Sequence, residues 1–317
     1  MIPRKYDVIC VGTAITDSII RGFSPEPVSA AGYRAEEGLL SAGGEAVNES
    51  IAAAKLGLNS AILCFLGEDA AGRMMEEELK SCGVDTGLIV HEKDHPTPVT
   101  TIFVNPDGSR RSITNNSHRY NFNPQLYTEC FAETKAVILG SLFRAPFNDP
   151  AIIHKVLRSA AENNSTVLAD TKLPNFNVLA LADIGDSLPL IDYITPNEDE
   201  ARYYTSREDP EDMAAVFLSY GVKNVIIKLG ARGCYFRNNK SSLYLPAYDI
   251  EPVDATGAGD NFIAGFVSEI LRGSSVEKAL EFANACGAVC TTAAGAGSAL
   301  KNREQILAFM KKTGFRS

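Results

Sequence analysis

The 317-residue chain has no tryptophan, four histidines and seven cysteines, with no Cys-x-x-Cys pair among them. The histidines form no metal-spaced pair, and an odd cysteine count without paired spacing excludes both a disulfide framework and a zinc knuckle. Cys286 and Cys290, one helical turn apart, read as small core-filling thiols. No apolar run approaches the roughly 20 residues needed to span a bilayer, and "MIPRKYDVICVG" enters a strand-like run without a signal-peptide pattern. A block of basic charge is missing too: 30 Lys and Arg are scattered against 39 Asp and Glu, for a net charge of −9. Such a chain repels polyphosphate at long range, so neither nucleic acid nor an anionic membrane is expected as a partner. A small anion can still bind where local dipoles outweigh the net charge. Low-complexity tracts, long linkers and internal repeats are absent. What remains is 45% hydrophobic and 22% charged, the composition of a globular protein, and a cytoplasmic, soluble enzyme is expected.

Short apolar runs rich in β-branched residues recur between Gly, Asp and Pro: "YDVICVG", "SAILCFLG", "KAVILGS", "STVLADT", "DYITPN" and "KNVIIKLG". They do not alternate with polar residues, so both faces of each strand need cover. Helical spacing is predicted for 44–56, 70–82, 150–163, 198–205 and 210–220 between them, and for 260–272, 275–291 and 302–312 after them. Strand, helix, strand in repetition implies a mainly parallel sheet with right-handed crossovers. Two segments break this rhythm. Residues 14–41 are irregular, and 96–118 carry two alternating strands around the hairpin-turn sequence "NPDG". Together they are expected to form a small antiparallel flap inserted into one α/β domain spanning 1–317.

The segment "VDATGAGDNFIAGF" concentrates the chemistry. After Asp260 the apolar residues Phe262, Ile263, Phe266, Val267, Ile270 and Leu271 form interleaved i, i+4 series, so a helix begins near Gly259. "GAGD" then lies on a first helical turn, where backbone N–H groups are unpaired and the dipole is positive. Two glycines allow close approach of a ligand, which makes the segment an anion cradle. Asp260 reads either as the helix cap or as a base facing a hydroxyl that attacks a bound phosphoryl group. A second glycine pair, in "SAGGEAVNESIAAAKLG", precedes another helix with Asn48 one turn in. "ITPNEDEA" closes a strand and opens a third helix, with Asn197 and Glu200 spaced as a capping box or as metal-ordering groups at the strand ends.

"GGEAVNESIAAAKLGLNSAILCFLG" resembles the first signature of the ribokinase-like (PfkB) sugar kinase family, and "DATGAGDNFIAGF" resembles the second. "TPNEDEA", "KLGARG" and "FANACGAV" are similar to shorter segments of the same family in the same order, so the resemblance covers nearly the whole chain. It implies a three-layer α/β/α sandwich with a β-flap lid, and ATP-dependent phosphorylation of a small sugar. By the same resemblance Asp260 is the base and the amides of Gly257, Ala258 and Gly259 form the anion hole. Asp17, Gly43, Gly44 and Asn48 would hold sugar hydroxyls. Lys228, Gly230, Gly233 and Asn284 would line the ATP site, and Asn197 and Glu200 would order Mg²⁺, largely through water. Asp254, Thr256 and the loop ending at Ser298 fall where many members hold a K⁺ ion; Asp254 also reads simply as the end of a strand. Some members form dimers by pairing their flaps, so a homodimer through the flap is an expectation.

Departures from the family pattern bear on the sugar. Ala255 replaces a usual Thr, Ser, Pro or Val. "GTAITD" lacks the Asn of ribokinases proper, Glu45 stands where they carry Lys, and "LGSLFR" lacks their Glu. A hexose, keto-sugar or sugar acid is therefore expected rather than ribose. Arg110, Arg111 and Arg144 are candidate grips for a substrate carboxylate or phosphate, with solvated surface positions as the plain alternative. Lys172, where many relatives have Asn, is placed to reach a nucleotide phosphate. Two other readings stand beside the sugar kinase: a nucleoside kinase of the same fold, with Ile15, Phe103 and Phe143 forming a base slot, and a non-catalytic sugar sensor. A nicotinamide-dependent oxidoreductase is disfavoured, because "VICVGTAITD" lacks two of the three fingerprint glycines.

Overall fold

Strands without polar alternation must be covered on both faces, and the structure, a computed structural model, does this with helices. It describes residues 4–22, 35–105, 110–115, 122–175 and 177–316. The chain runs β1 (Tyr6–Val11), β2 (Ile15–Arg21), β3 (Glu37–Gly43), α1 (Glu45–Lys55), β4 (Ser60–Leu63), β5 (Phe65–Gly67), α2 (Ala70–Ser81), β6 (Val90–Glu92), β7 (Val99–Val104) and β8 (Arg110–Thr114). It continues through β9 (Thr134–Leu142), α3 (Pro150–Glu162), β10 (Thr166–Thr171), β11 (Tyr193–Ile194), α4 (Glu198–Thr205), α5 (Pro210–Ser219) and β12 (Asn224–Lys228). Then follow β13 (Cys234–Asn238), β14 (Ser242–Leu245), α6 (Ala258–Leu271), α7 (Val276–Cys290) and α8 (Arg303–Lys312). Every helix predicted from periodicity is present, with ends within two residues of expectation. Local chemistry sets several starts: Asp149 and Asp209 cap α3 and α5 with their carboxylates, each followed by Pro at the first helical position.

Among the described residues the central sheet has eight strands in the order β14-β13-β12-β11-β10-β9-β1-β4. Pairing is parallel from β4 to β12 and antiparallel across β12, β13 and β14. The two-residue period of β1 divides its side chains between two cores. Val8 and Cys10 pack with α1, α6 and α7, while Ile9 and Val11 pack with α3 and α5. These two apolar layers make the sandwich. None of the described helices is long and apolar enough to cross a membrane.

"SAILCFLG" is not one strand. β4 joins the central sheet, while β5 pairs with β6 apart from it. The flap is a four-stranded sheet, β3-β2-β7-β8, built from the two segments expected to form it. It is antiparallel at β2/β3 and β7/β8 but parallel at β2/β7, which corrects the purely antiparallel expectation. Parallel neighbours need a long crossover, and the chain between β2 and β7 supplies one through α1, β4 and α2. Residues 23–34, 106–109, which include most of the expected "NPDG" turn, and 116–118 lie outside the described residues.

Candidate active site

Alternation along β2 sends Ile15, Asp17, Ile19 and Arg21 to one face, and all four line a cleft of about 870 Å³. The opposite wall comes from the carboxyl ends of β10 and β12 and the start of α6. In an open α/β sheet that edge is the expected place for a ligand.

The α6 start answers why the sequence places glycine and aspartate there. Gly257 precedes the helix in a left-handed conformation, φ 78°, and a Cβ on it would come within 2.5 Å of Ala296. Only glycine fits. Asp260 is not the cap: it sits inside the first turn, and its Oδ2 accepts a 2.7 Å hydrogen bond from Asn48 Nδ2 on α1. Among the described residues no backbone acceptor is found for the amides of Gly257, Gly259 and Asp260, whereas Ala258 N donates to Ala255 O at 3.2 Å. Of the three amides expected to form an anion hole, that of Ala258 thus has a partner within the protein, while among the described residues those of Gly257 and Gly259 do not. A Cβ on Gly259 would lie 3.1 Å from Lys228 Nζ, so the missing side chain lets an ammonium approach the helix start.

Electrostatics concentrate in the same place. Burial pushes the Asp260 carboxyl up to about 7, with Lys172 opposing and Glu45 and Asp170 adding to the rise. Burial, and then Glu45, push Asp17 up to about 6. Lys228 pairs with Asp170 at 2.5 Å, and the attraction of Asp170 and Glu200 outweighs its burial and raises its pKa. Lys172 pairs with Glu45 at 3.4 Å. Burial opposes both charges, yet each partner holds the other ionised: Glu45 below its ordinary value, Lys172 above. Two of the residues at which the sequence departs from the family pattern, one acidic and one basic, thus answer each other in the cleft.

Glu200 is 4% exposed, and its Oε2 accepts from Thr171 Oγ1 at 2.8 Å and from Asn197 N at 2.9 Å. Asn197 Oδ1 in turn accepts from Glu200 N, so the capping box is real. Burial, opposed by Lys228, raises the Glu200 pKa.

Residues 5–303 match the pfkB family carbohydrate kinase pattern. The chain belongs to the PfkB family of carbohydrate kinases. The kinase is 30% identical over 275 residues to a ribokinase of Haemophilus influenzae, an alignment covering 85% of this chain and 87% of that one. It is 28% identical over 278 residues to a 2-dehydro-3-deoxygluconokinase of Bacillus subtilis, covering 83% and 84%. Its fold is shared with an Arabidopsis thaliana ribokinase solved with ribose and ATP, at TM-score 0.84 and 25% identity, over 96% of this chain and 99% of that one. The kinase is thus a phosphotransferase acting on a sugar.

Most residues anticipated for its site meet in the one cleft. Asp17, Gly43, Gly44, Asn48, Lys172, Asn197, Glu200, Lys228, Gly230, Gly233, Asp254, Thr256, Gly257, Ala258, Gly259, Asp260 and Asn284 all line it. Three do not. Arg144 donates from Nε to Leu173 O at 2.7 Å and borders a smaller adjoining cavity with Glu45 and Ser141. Ser298 is exposed and donates back to Ala294 O. The Arg110 side chain lies outside the described residues, and Arg111 is exposed. Asp254 accepts from Thr256 N, Thr256 Oγ1 and Gly295 N, so its carboxylate braces the 293–298 loop through the protein's own donors. Phe143 is fully buried and stacked on Tyr204 at 4.1 Å, and Phe103 does not line the cleft, so the anticipated nucleobase slot is reduced to Ile15.

Two acidic residues escaped the sequence reading. Asp170 ends an apolar strand at the cleft, and Glu49 interrupts the buried stripe Ala46, Ala53, Leu56 of α1. A charge inside an apolar stripe was the available signal. Two non-glycine residues at the end of β9, Ser141 (φ 72°) and Phe143 (φ 76°), hold left-handed conformations, and Ser141 borders the smaller cavity with Glu45; such strain often collects at functional sites.

Proposed function

We propose that the kinase transfers the terminal phosphoryl group of ATP to a hydroxyl of a neutral hexose or keto-sugar, with Asp260 as general base. The observation that carries this reading is the Asp260 carboxylate, buried beside the unpaired amides of α6 and held through one oxygen by Asn48. Oδ2 is fixed by that bond, which leaves Oδ1 to take the proton of the attacking hydroxyl. A positioned base contributes about 10²–10⁴ in rate. The amides of Gly257, Gly259 and Asp260, with Lys228 beside them, receive the charge of the transferring group.

Asp17, Asn48, Ser41 and the backbone at Gly43 and Gly44 offer a sugar its hydrogen bonds, under the apolar lid face of Ile15, Ile19 and Ile102. A sugar acid would bring its carboxylate against Asp17 and Glu45. The nearby arginines are already committed, Arg144 to Leu173 O and Arg21 to Glu37 at 3.2 Å. A neutral polyol suits that end better.

The other end, from Asn197 and Lys228 through Gly233 to Asn284, fits ATP. The described bonds to Glu200 fall on Oε2, so Oε1 and Asn197 are oxygen donors of the hard type that Mg²⁺ prefers, directly or through water. Mg²⁺ bound with the nucleotide would neutralise phosphate charge. Asp254 accepts from Thr256 N, Thr256 Oγ1 and Gly295 N, and no step is assigned to K⁺.

A coupled assay of ADP release over a panel of hexoses, keto-sugars, ribose, sugar acids and adenosine tests the reading. Fructose-type substrates should give the highest kcat/KM, and Asp260→Asn should abolish turnover while ATP still binds. Preference for a sugar acid would overturn the substrate class, and an active Asp260→Asn would overturn the base.

A further inference from the structure

Glu49 has no exposed surface, and among the described residues no donor reaches either of its carboxyl oxygens. It sits on α1 next to Asn48, the residue that holds the base. A Cβ on Gly140 of β9 would come within 3.1 Å of Glu49 Oε2, so a side chain missing from a central strand makes the room this carboxyl occupies. Glu49, Asp170 and Asp260 each place a carboxyl oxygen within 4.8 Å of the others. The ionisable groups around Glu49 are Glu45 one turn earlier on α1, Cys10 on β1, Asp170 on β10, Asp260 on α6 and Lys228 on β12. Among these groups only Lys228 is cationic, and its ammonium is held by Asp170 Oδ1.

A fully buried carboxylate with no donor and two carboxylate neighbours cannot stay ionised cheaply, since the desolvation cost is several kcal/mol even after relaxation. It must be neutralised by a cation or a proton. A divalent cation here would sit beside the Lys228 ammonium and on the carboxylate that has to receive the substrate proton. A proton creates neither conflict, and it turns Glu49 into the donor that its surroundings otherwise lack.

We propose that Glu49 is a protonated carboxylic acid whose O–H is donated into the Asp170–Asp260 carboxylate pair, which makes it the residue that positions the base from behind. The inference rests on the reading of Asp260 given above. Burial first, then Asp170 and Asp260, hold the Glu49 pKa far above its ordinary value, in keeping with a neutral side chain. The function follows from charge. A neutral Glu49 separates two carboxylates that would repel, and it keeps one more negative charge away from the incoming triphosphate. When alkaline pH removes its proton, that charge appears and the donor vanishes, so turnover falls on the alkaline side.

Isotope-edited infrared spectroscopy of the whole, nucleotide-free enzyme tests the protonation directly. With the glutamate carboxyls alone labelled, so that a partly protonated Asp260 does not contribute, a carboxylic-acid C=O band should be present at neutral pH, disappear in Glu49→Gln and persist in Asp260→Asn. Kinetics test the role. Glu49→Ala, checked for folding by circular dichroism, should lose on the order of 10- to 100-fold in kcat through misplacement of the base. Glu49→Gln, a neutral donor of the same shape, should restore most of that loss, and its pH profile should lack the alkaline limb. The proposal is overturned if no acid band responds to Glu49→Gln, if the band appears only after chelation, or if Glu49→Gln keeps the alkaline limb. An active Asp260→Asn that retains the infrared band would instead sink the base assignment and leave the protonated Glu49 standing.

Discussion

Replacing Asp260 by Asn should make this protein more stable while it destroys turnover. Asp260, the proposed base, is 6% exposed, and burial lifts its carboxyl from 3.8 to about 7. That difference corresponds to about 4 kcal/mol of destabilisation once the group is forced to ionise in the folded state. The sign follows from proton binding. Between about pH 4 and 7 the folded state holds a proton that the unfolded chain has released, so stability is lost as pH rises through that window. Asn carries no charge and escapes the loss. Urea unfolding of both proteins at about pH 8 and about pH 5 measures it. The advantage of the variant should be about 2–4 kcal/mol at the higher pH and should shrink by about 3 kcal/mol at the lower. Taking the difference between the two conditions cancels whatever Asn gains or loses as a neutral side chain. The same carboxyl must be ionised to accept a proton, so wild-type kcat/KM should fall about tenfold per pH unit below about 7. An advantage equal at both pH values would refute the argument, because the effect would then not be ionisation.

Two further outcomes follow from the same geometry. Asn48→Ala removes the donor on Asp260 Oδ2, so the acid limb of the kcat/KM profile should move to higher pH by about 1 unit; an unmoved limb would separate Asn48 from the base. Lys228→Met leaves Asp170 buried without its 2.5 Å partner and should cost about 3 kcal/mol in urea unfolding, most of it regained in the Lys228→Met, Asp170→Asn double variant; additive losses would show that the pair is not coupled.

The helices were legible because their signal is local. The stripe on α6, the Asp-Pro starts of α3 and α5 and the glycine after α1 each lie within a few residues of the structure they create. Strand detail was less legible. β13 and β14 form the antiparallel edge without a long apolar run, and "SAILCFLG" serves two sheets, since a short hydrophobic stretch does not say which neighbour it will pair with. For the site, "GAGD" announced glycines and a carboxylate at a helix start, but the choice between cap and base depended on what stood opposite.

The sequence by itself determined that helix α6 begins on glycines with Asp260 in its first turn, and that an α/β rhythm carries it to a strand-end cleft. Only the tertiary structure decided which groups face that carboxylate. Asn48 reaches it from 212 positions away, Lys172 and Glu45 pair in the same cleft, and Glu49 and Asp170 crowd behind it. The reason is physical: helix and turn preferences arise between near neighbours along the chain. Burial and charge proximity, which set the proton affinities, arise only when distant segments pack together.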